Sequence, residues 1–161
     1  MKLLVRLLPV LACSLALNAC GGGDDDKGGS SSGGSDDTLT KAELVEKGDG
    51  ICNEANDRIA EIPDPQGLDD IATLAERTQV IATDLGADLR ALRPPDEVKK
   101  PFGEFVALVK EGTDLLTPLR AAAEQGDEAK VRELLGEAEA INGRNDGPAR
   151  AVGFKVCGVS G

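Results

Sequence analysis

The chain has no histidine, no tyrosine and no tryptophan, and its aromatic side chains are three phenylalanines, Phe102, Phe105 and Phe154. Without imidazole the common zinc, copper and haem sites lose their usual ligand, and the one methionine, Met1, does not replace it. A serine nucleophile would lack its base. The serines lie at Ser14, between Ser30 and Ser35, and at Ser160. Carboxylates are plentiful, but charge on a helix is usually a solvated face, and a hydrolase built from them would need two facing each other in a cleft. No enzyme, metal ion or cofactor is therefore expected, and no catalytic residue is assigned. Positive charge is also scarce. Lys and Arg number 18 against 29 Asp and Glu, a net charge of −11, which has the wrong sign for nucleic acid, anionic lipid or a teichoic-type polymer. Runs of alternating β-branched residues are missing, which excludes a sheet.

What the chain does have begins with Lys2 and Arg6, followed by an apolar stretch from Leu7 to Leu17 interrupted by Pro9 and Ser14. This is signal-peptide anatomy, and the stretch is short of the ~20 residues that a bilayer crossing needs. Leu17, Asn18, Ala19 and Cys20 resemble the lipobox of bacterial lipoproteins. The resemblance implies removal of residues 1–19, a diacylglyceryl group with palmitate-type chains on Cys20, and an address on the extracytoplasmic face of the cell membrane. Two or more such chains anchor a protein stably, at about 0.8 kcal/mol per buried CH₂. An ordinary secretory signal with Cys20 as an incidental thiol is the alternative. Cleavage would leave 142 residues with a net charge of −13, since Lys2 and Arg6 leave with the leader.

Residues 20–37 comprise the cysteine expected to be acylated and, from Gly21 to Asp37, GGGDDDKGGSSSGGSDD, which contains no apolar side chain. Such a segment cannot bury enough surface to offset the entropy of ordering, so it reads as a disordered tether reaching roughly 20–25 Å. Asp24, Asp25 and Asp26 suggest calcium, but an EF-hand loop requires Glu at its twelfth position, and here that position is Ser35.

From residue 38 to 161 the apolar residues recur at helical spacing. Thr40 with Glu43 forms a capping-box pattern ahead of Leu44, Val45, Ile51, Cys52, Ala55, Ile59 and Ile62, and Pro63 and Pro65 end that helix. A second seam runs Leu68, Ile71, Ala75, Thr78, Ala82, Leu85, Leu89 and Leu92, stopped by Pro94 and Pro95. The third is Val98, Phe102, Phe105, Val109, Gly112, Leu116, Leu119 and Ala123, with Pro101 and Pro118 expected to bend it or to split off its first turn. Gly126 supplies a left-handed cap and Asp127 an N-cap for a fourth helix through Val131, Leu134, Ala138 and Ile141, after which the pattern weakens before Ala149 and Val152. Four amphipathic helices with short turns imply an all-α, antiparallel up-and-down four-helix bundle with one disulfide. Its core is thinly filled.

The disulfide joins Cys52 and Cys157. In an oxidising compartment the two should pair, closing a loop of about 105 residues and contributing roughly 3–5 kcal/mol, with free thiols as the alternative. Levelling the helix ends puts Cys52 about 18 Å from the start of the first helix at about 1.5 Å per residue. An unbroken fourth helix would carry Cys157 past that level. The expectation is that the helix ends at Val152, Gly153 takes a left-handed cap, and Phe154 to Cys157 turns back along the first helix.

Four segments, ICNEANDRI from Ile51, LRALRPPDEV from Leu89, AAAEQGD from Ala121 and ARAVGFKVCG from Ala149, are similar to a group of small exported proteins and lipoproteins of actinobacteria. That resemblance implies a helical exported domain with a terminal disulfide, and it brings no site residues. The chain departs from the group in carrying Pro101 within the third helix.

The same levelling brings Cys52 with Asn56, Thr78, Gly112 with Thr113, and Asn145 to mid-height, where bundles usually hold Leu or Ile. Asn56, Thr78, Thr113 and Asn145 are the candidate ligand-binding residues. The layer is either a pocket for a small polar or amphipathic molecule, or space for the disulfide and Phe154 with Asn and Thr bonding across helices; buried polar residues more often satisfy one another. Two functions follow. One is a non-catalytic, membrane-anchored domain that contacts an envelope protein or polymer, marked by a large exposed apolar face. The other is a small-molecule binding or sensory lipoprotein, marked by a cavity beside Thr78 and Asn145.

Overall fold

A computed structural model describes residues 38–158. The leader, Cys20, the tether to residue 37 and residues 159–161 lie outside the described residues. Local chemistry sets the first helix, α1, Lys41–Ala60. The Thr40 hydroxyl accepts from the Glu43 N–H at 3.3 Å, while a Glu43 carboxylate oxygen accepts from the Thr40 N–H at 2.8 Å and the Thr40 hydroxyl at 2.7 Å. These bonds, the hydroxyl's first, hold the Glu43 carboxyl below its ordinary range.

Next come α2, Leu68–Ala91, and α3, Asp96–Glu124, joined through Pro94 and Pro95. Gly126, at φ 72°, ends α3 while the Asp127 N–H bonds back to Ala122 O at 2.9 Å. The Asp127 carboxylate then accepts from the Lys130 N–H at 3.0 Å and starts α4, Glu128–Val152. One residue thus closes one helix and opens the next.

Pro101 and Pro118 do not split α3, and Pro148 does not break α4. Each proline removes the N–H that would have met the carbonyl four residues earlier, and those carbonyls belong to Glu97, Asp114 and Arg144. All three are exposed residues, where water can take the place of the missing donor.

Among the described residues there is no strand, and no helix is long and apolar enough to cross a membrane. Cross-helix pairs fix the directions. Glu76 meets Arg120 at 3.8 Å and Gln79 meets Thr117 at 2.8 Å, so ascending α2 means descending α3. The buried apolar residues form two clusters rather than one. The first joins Leu44 and Cys52 of α1, Leu89 of α2, Phe102 and Phe105 of α3 and Val152 of α4. The second joins Ala75, Leu119, Ala123, Val131 and Leu134, and takes nothing from α1. Four helices pack at one end of the bundle and three at the other.

At the four-helix end the chain turns back as the sequence suggested. Gly153, at φ 105°, caps α4, and the N–H groups of Gly153 and Phe154 both reach Ala149 O at 3.0 Å. Phe154 then packs its ring 5.4 Å from that of Phe105 and 6.3 Å from that of Phe102. Its seat on α1 is Gly48, where a Cβ would come within 2.4 Å of the ring. The next residue, Asp49, offers its carboxylate to the N–H groups of Lys155 at 3.1 Å, Val156 at 3.0 Å and Cys157 at 3.3 Å. One turn further on, Cys52 bonds Cys157, with the Cα atoms 5.4 Å apart.

Two glycines of α1 separate this packing from helix propensity. Gly48→Ala forces the ring of Phe154 to shift and is expected to cost about 1–3 kcal/mol. Gly50→Ala meets nothing within 4 Å and is expected to stabilise by about 0.5–1 kcal/mol. Thermal unfolding of both variants checks the pair; similar shifts in one direction would refute the seat.

Candidate functional site

The gap between the two apolar clusters is a cavity of about 360 Å³. Its long walls are side chains such as Leu85, Phe105, Leu108, Leu116 and Ile141. The C-terminal turn closes part of it, because Cys52, Cys157, Val156 and Gly158 are also wall residues. A disulfide with cysteines 6% and 1% exposed is thus part of the wall.

All four candidate residues border this space. Asn145 is buried, at 8% exposure; Thr78 and Thr113 are half-buried; Asn56 is exposed. The sequence-level alternative, space for the disulfide and Phe154 with Asn and Thr bonding across helices, is met in part: the disulfide borders the layer, while among the described residues no hydrogen bond between helices involves these four side chains. The Thr113 hydroxyl donates to Val109 O of its own helix at 2.8 Å. Among the described residues, the Asn145 carbonyl oxygen is buried and has no hydrogen-bond partner. Phe154 sits instead on Gly48, a turn of α1 away from Cys52, so the layer keeps its space.

An unmet buried acceptor costs about 1–3 kcal/mol, which makes Asn145 the position to be explained. On α4 the residues one turn either side, Ile141 and Ala149, are apolar and buried. The amide interrupts an apolar stripe. A second orphan oxygen belongs to Asp146, whose other oxygen accepts from Arg150 at 3.4 Å; Asp146 does not border the cavity.

Among the described residues the wall contains no Asp, Glu, Lys or Arg, and no cluster of His, Cys, Asp and Glu could hold a metal ion. The arrangement can shield part of an apolar guest from water and borders it with the amides of Asn56, Asn142 and Asn145 and the hydroxyls of Thr78 and Thr113. It holds no general base beside a nucleophile. Sequence reasoning identified the level of the cavity but missed Asp49 and Gly48, which hold the turn that walls it. Their signal was a Gly-Asp pair one turn before Cys52, within an otherwise amphipathic helix.

Gly112 also borders the cavity, in mid-helix, where an added Cβ would find Ile141 at an ordinary 3.8 Å. No turn or close approach requires glycine there. Its presence keeps the cavity wider at a cost of about 1 kcal/mol relative to alanine.

No family model, curated protein or solved structure matches the chain.

Two measurements bear on the walls. Gly112→Ala is expected to raise the unfolding free energy by about 0.5–1 kcal/mol while narrowing the cavity, read from denaturant midpoints. Reducing the disulfide is expected to lower it by about 3–5 kcal/mol. A midpoint insensitive to reductant would mean that Asp49 and Phe154 hold the turn by themselves.

Proposed function

We propose that this chain is a lipid-anchored binding protein of the extracytoplasmic membrane face, akin to the small exported actinobacterial lipoproteins that its four segments resemble. It holds a small molecule in the mid-bundle cavity and does not transform it. One observation carries the reading: a ligand-sized cavity, walled mainly by apolar side chains, with a single buried amide whose oxygen has no partner. The lack of charge in the wall argues for binding over catalysis. Cys20 supplies the anchor, and the segment to residue 37 supplies the reach from the membrane.

The other reading, docking of an envelope protein or polymer, calls for a broad exposed apolar face. The large apolar side chains with wide exposure among the described residues are Ile59, Val80 and Leu135, one each on α1, α2 and α4. Three side chains on three helices fall short of such a face, so the cavity is the better-supported site.

Mass spectrometry of the chain purified from a bacterium that makes it tests both halves. The denatured mass is expected to show loss of residues 1–19, added acyl mass on Cys20 and the disulfide; Cys20→Ser should abolish the acyl mass. An intact leader would overturn the anchor. The native mass is expected to exceed the denatured one by the mass of a bound small molecule. Identical masses would count against a tightly held ligand and turn attention to a protein partner.

A further inference from the structure

The cavity has features that narrow its occupant. Its wall residues are uncharged, so an ion inside would lose its water and gain no opposite charge. Its volume of about 360 Å³ is ample for two linked rings or a short alkyl chain. Among the described residues, Asn145 is the wall residue that is buried and carries an unmatched oxygen. In the packed orientation that oxygen is shut off from solvent; half a turn about the Cβ–Cγ bond exchanges it with the amide nitrogen, so the same side chain can present an acceptor to a guest. Thr113 donates its hydroxyl proton to Val109 O and keeps lone pairs that can accept, but it is only half-buried and so leaves no enclosed oxygen unmet. Asn56 and Asn142 are exposed, so water can satisfy their amides.

We propose that the cavity takes an uncharged, mainly apolar molecule bearing one hydrogen-bond donor, and that Asn145 is the residue that accepts from it. This rests on the reading of the cavity as a ligand site. With the amide turned, its oxygen accepts from the guest's donor while the nitrogen takes the enclosed position, so discrimination comes from the oxygen and affinity from the apolar wall. A site built around such an acceptor disfavours guests that lack the donor, because the acceptor then stays unpaired.

N-phenyl-1-naphthylamine is a suitable probe, being uncharged, mostly apolar and equipped with one N–H. Its fluorescence would be titrated with the full chain carrying Cys20→Ala, so that attached lipid does not compete. The same titration on Thr78→Phe, which fills the cavity, supplies the background. The expected result is saturable binding that Thr78→Phe abolishes. Asn145→Leu, close in size but without the acceptor, should weaken the probe roughly three- to tenfold and leave 1-phenylnaphthalene, which has no N–H, unchanged. The anionic analogue 8-anilino-1-naphthalenesulfonate should bind roughly a hundredfold more weakly or worse.

Equal affinity of the amine for Asn145→Leu and the parent would overturn the role of Asn145 while leaving the cavity reading intact. Tight cavity binding of the sulfonate would overturn the requirement for an uncharged guest. Absence of any probe binding, or binding indifferent to Thr78→Phe, would overturn the ligand site and this proposal together. Asn145→Ala serves in place of Asn145→Leu if the leucine variant does not unfold cooperatively, and the comparison of the two probes is read in the same way.

Discussion

The first helix needs its attachment to the end of the chain. It is absent from the second apolar cluster and gives the first only Leu44 and Cys52 as buried members, with Leu39, Val45 and Ile51 partly buried beside them. So small an apolar contribution leaves α1 weakly held by packing alone. Three residues in just over one turn supply the rest: Gly48 gives a flat seat for an aromatic ring, Asp49 collects three backbone N–H groups, and Cys52 makes a covalent bond. The contributions differ in kind. Ring packing is lost with a methyl group in the wrong place, the carboxylate bonds with a change of side chain, and the disulfide with a reductant.

That attachment also accounts for the cavity. With α1 drawn to the turn at one end, the bundle has four helices there and three at the other, and two separate apolar clusters form instead of a continuous core. Small and polar residues lie where the clusters would otherwise merge. A half-open recess of this size forgoes packing contacts between the helices, and Gly112 and Asn145 each keep it at a cost in stability. Local arrangements that give up stability in this way are characteristic of functional sites.

Much of this was legible in the sequence. The 3-4 spacing of α2 and α3, the Thr40–Glu43 box and the Gly126–Asp127 hinge are local signals, and the helices begin and end close to them. Even the return of Cys157 followed from helix length and bond reach. Ile81 did not: it is buried off the main seam, because α2 packs against both α1 and α3 and a helix with two neighbours buries two stripes. Asp49 looked like any acidic residue on a helix, since its partners lie more than 100 positions away. The prolines do not split their helices. Their effect depends on which carbonyl loses its donor, and that is decided by exposure in the folded state. The cavity itself is a lack of atoms between helices; only the small polar residues at its level left a mark in the sequence.

The bond between Cys52 and Cys157 has a mechanical consequence. It closes a loop of 105 residues that contains the end of α1 and all of α2, α3 and α4. Tension between the two ends of the chain would travel from residue 38 through Cys52, cross the sulfurs and leave past Gly158, so the helices that wall most of the cavity carry none of it. Only the first three turns of α1 lie on the loaded path, and the seat of Phe154 and the carboxylate of Asp49 lie within them. A domain wired this way can be tugged by its ends without its interior being pulled open, so long as the sulfurs stay joined.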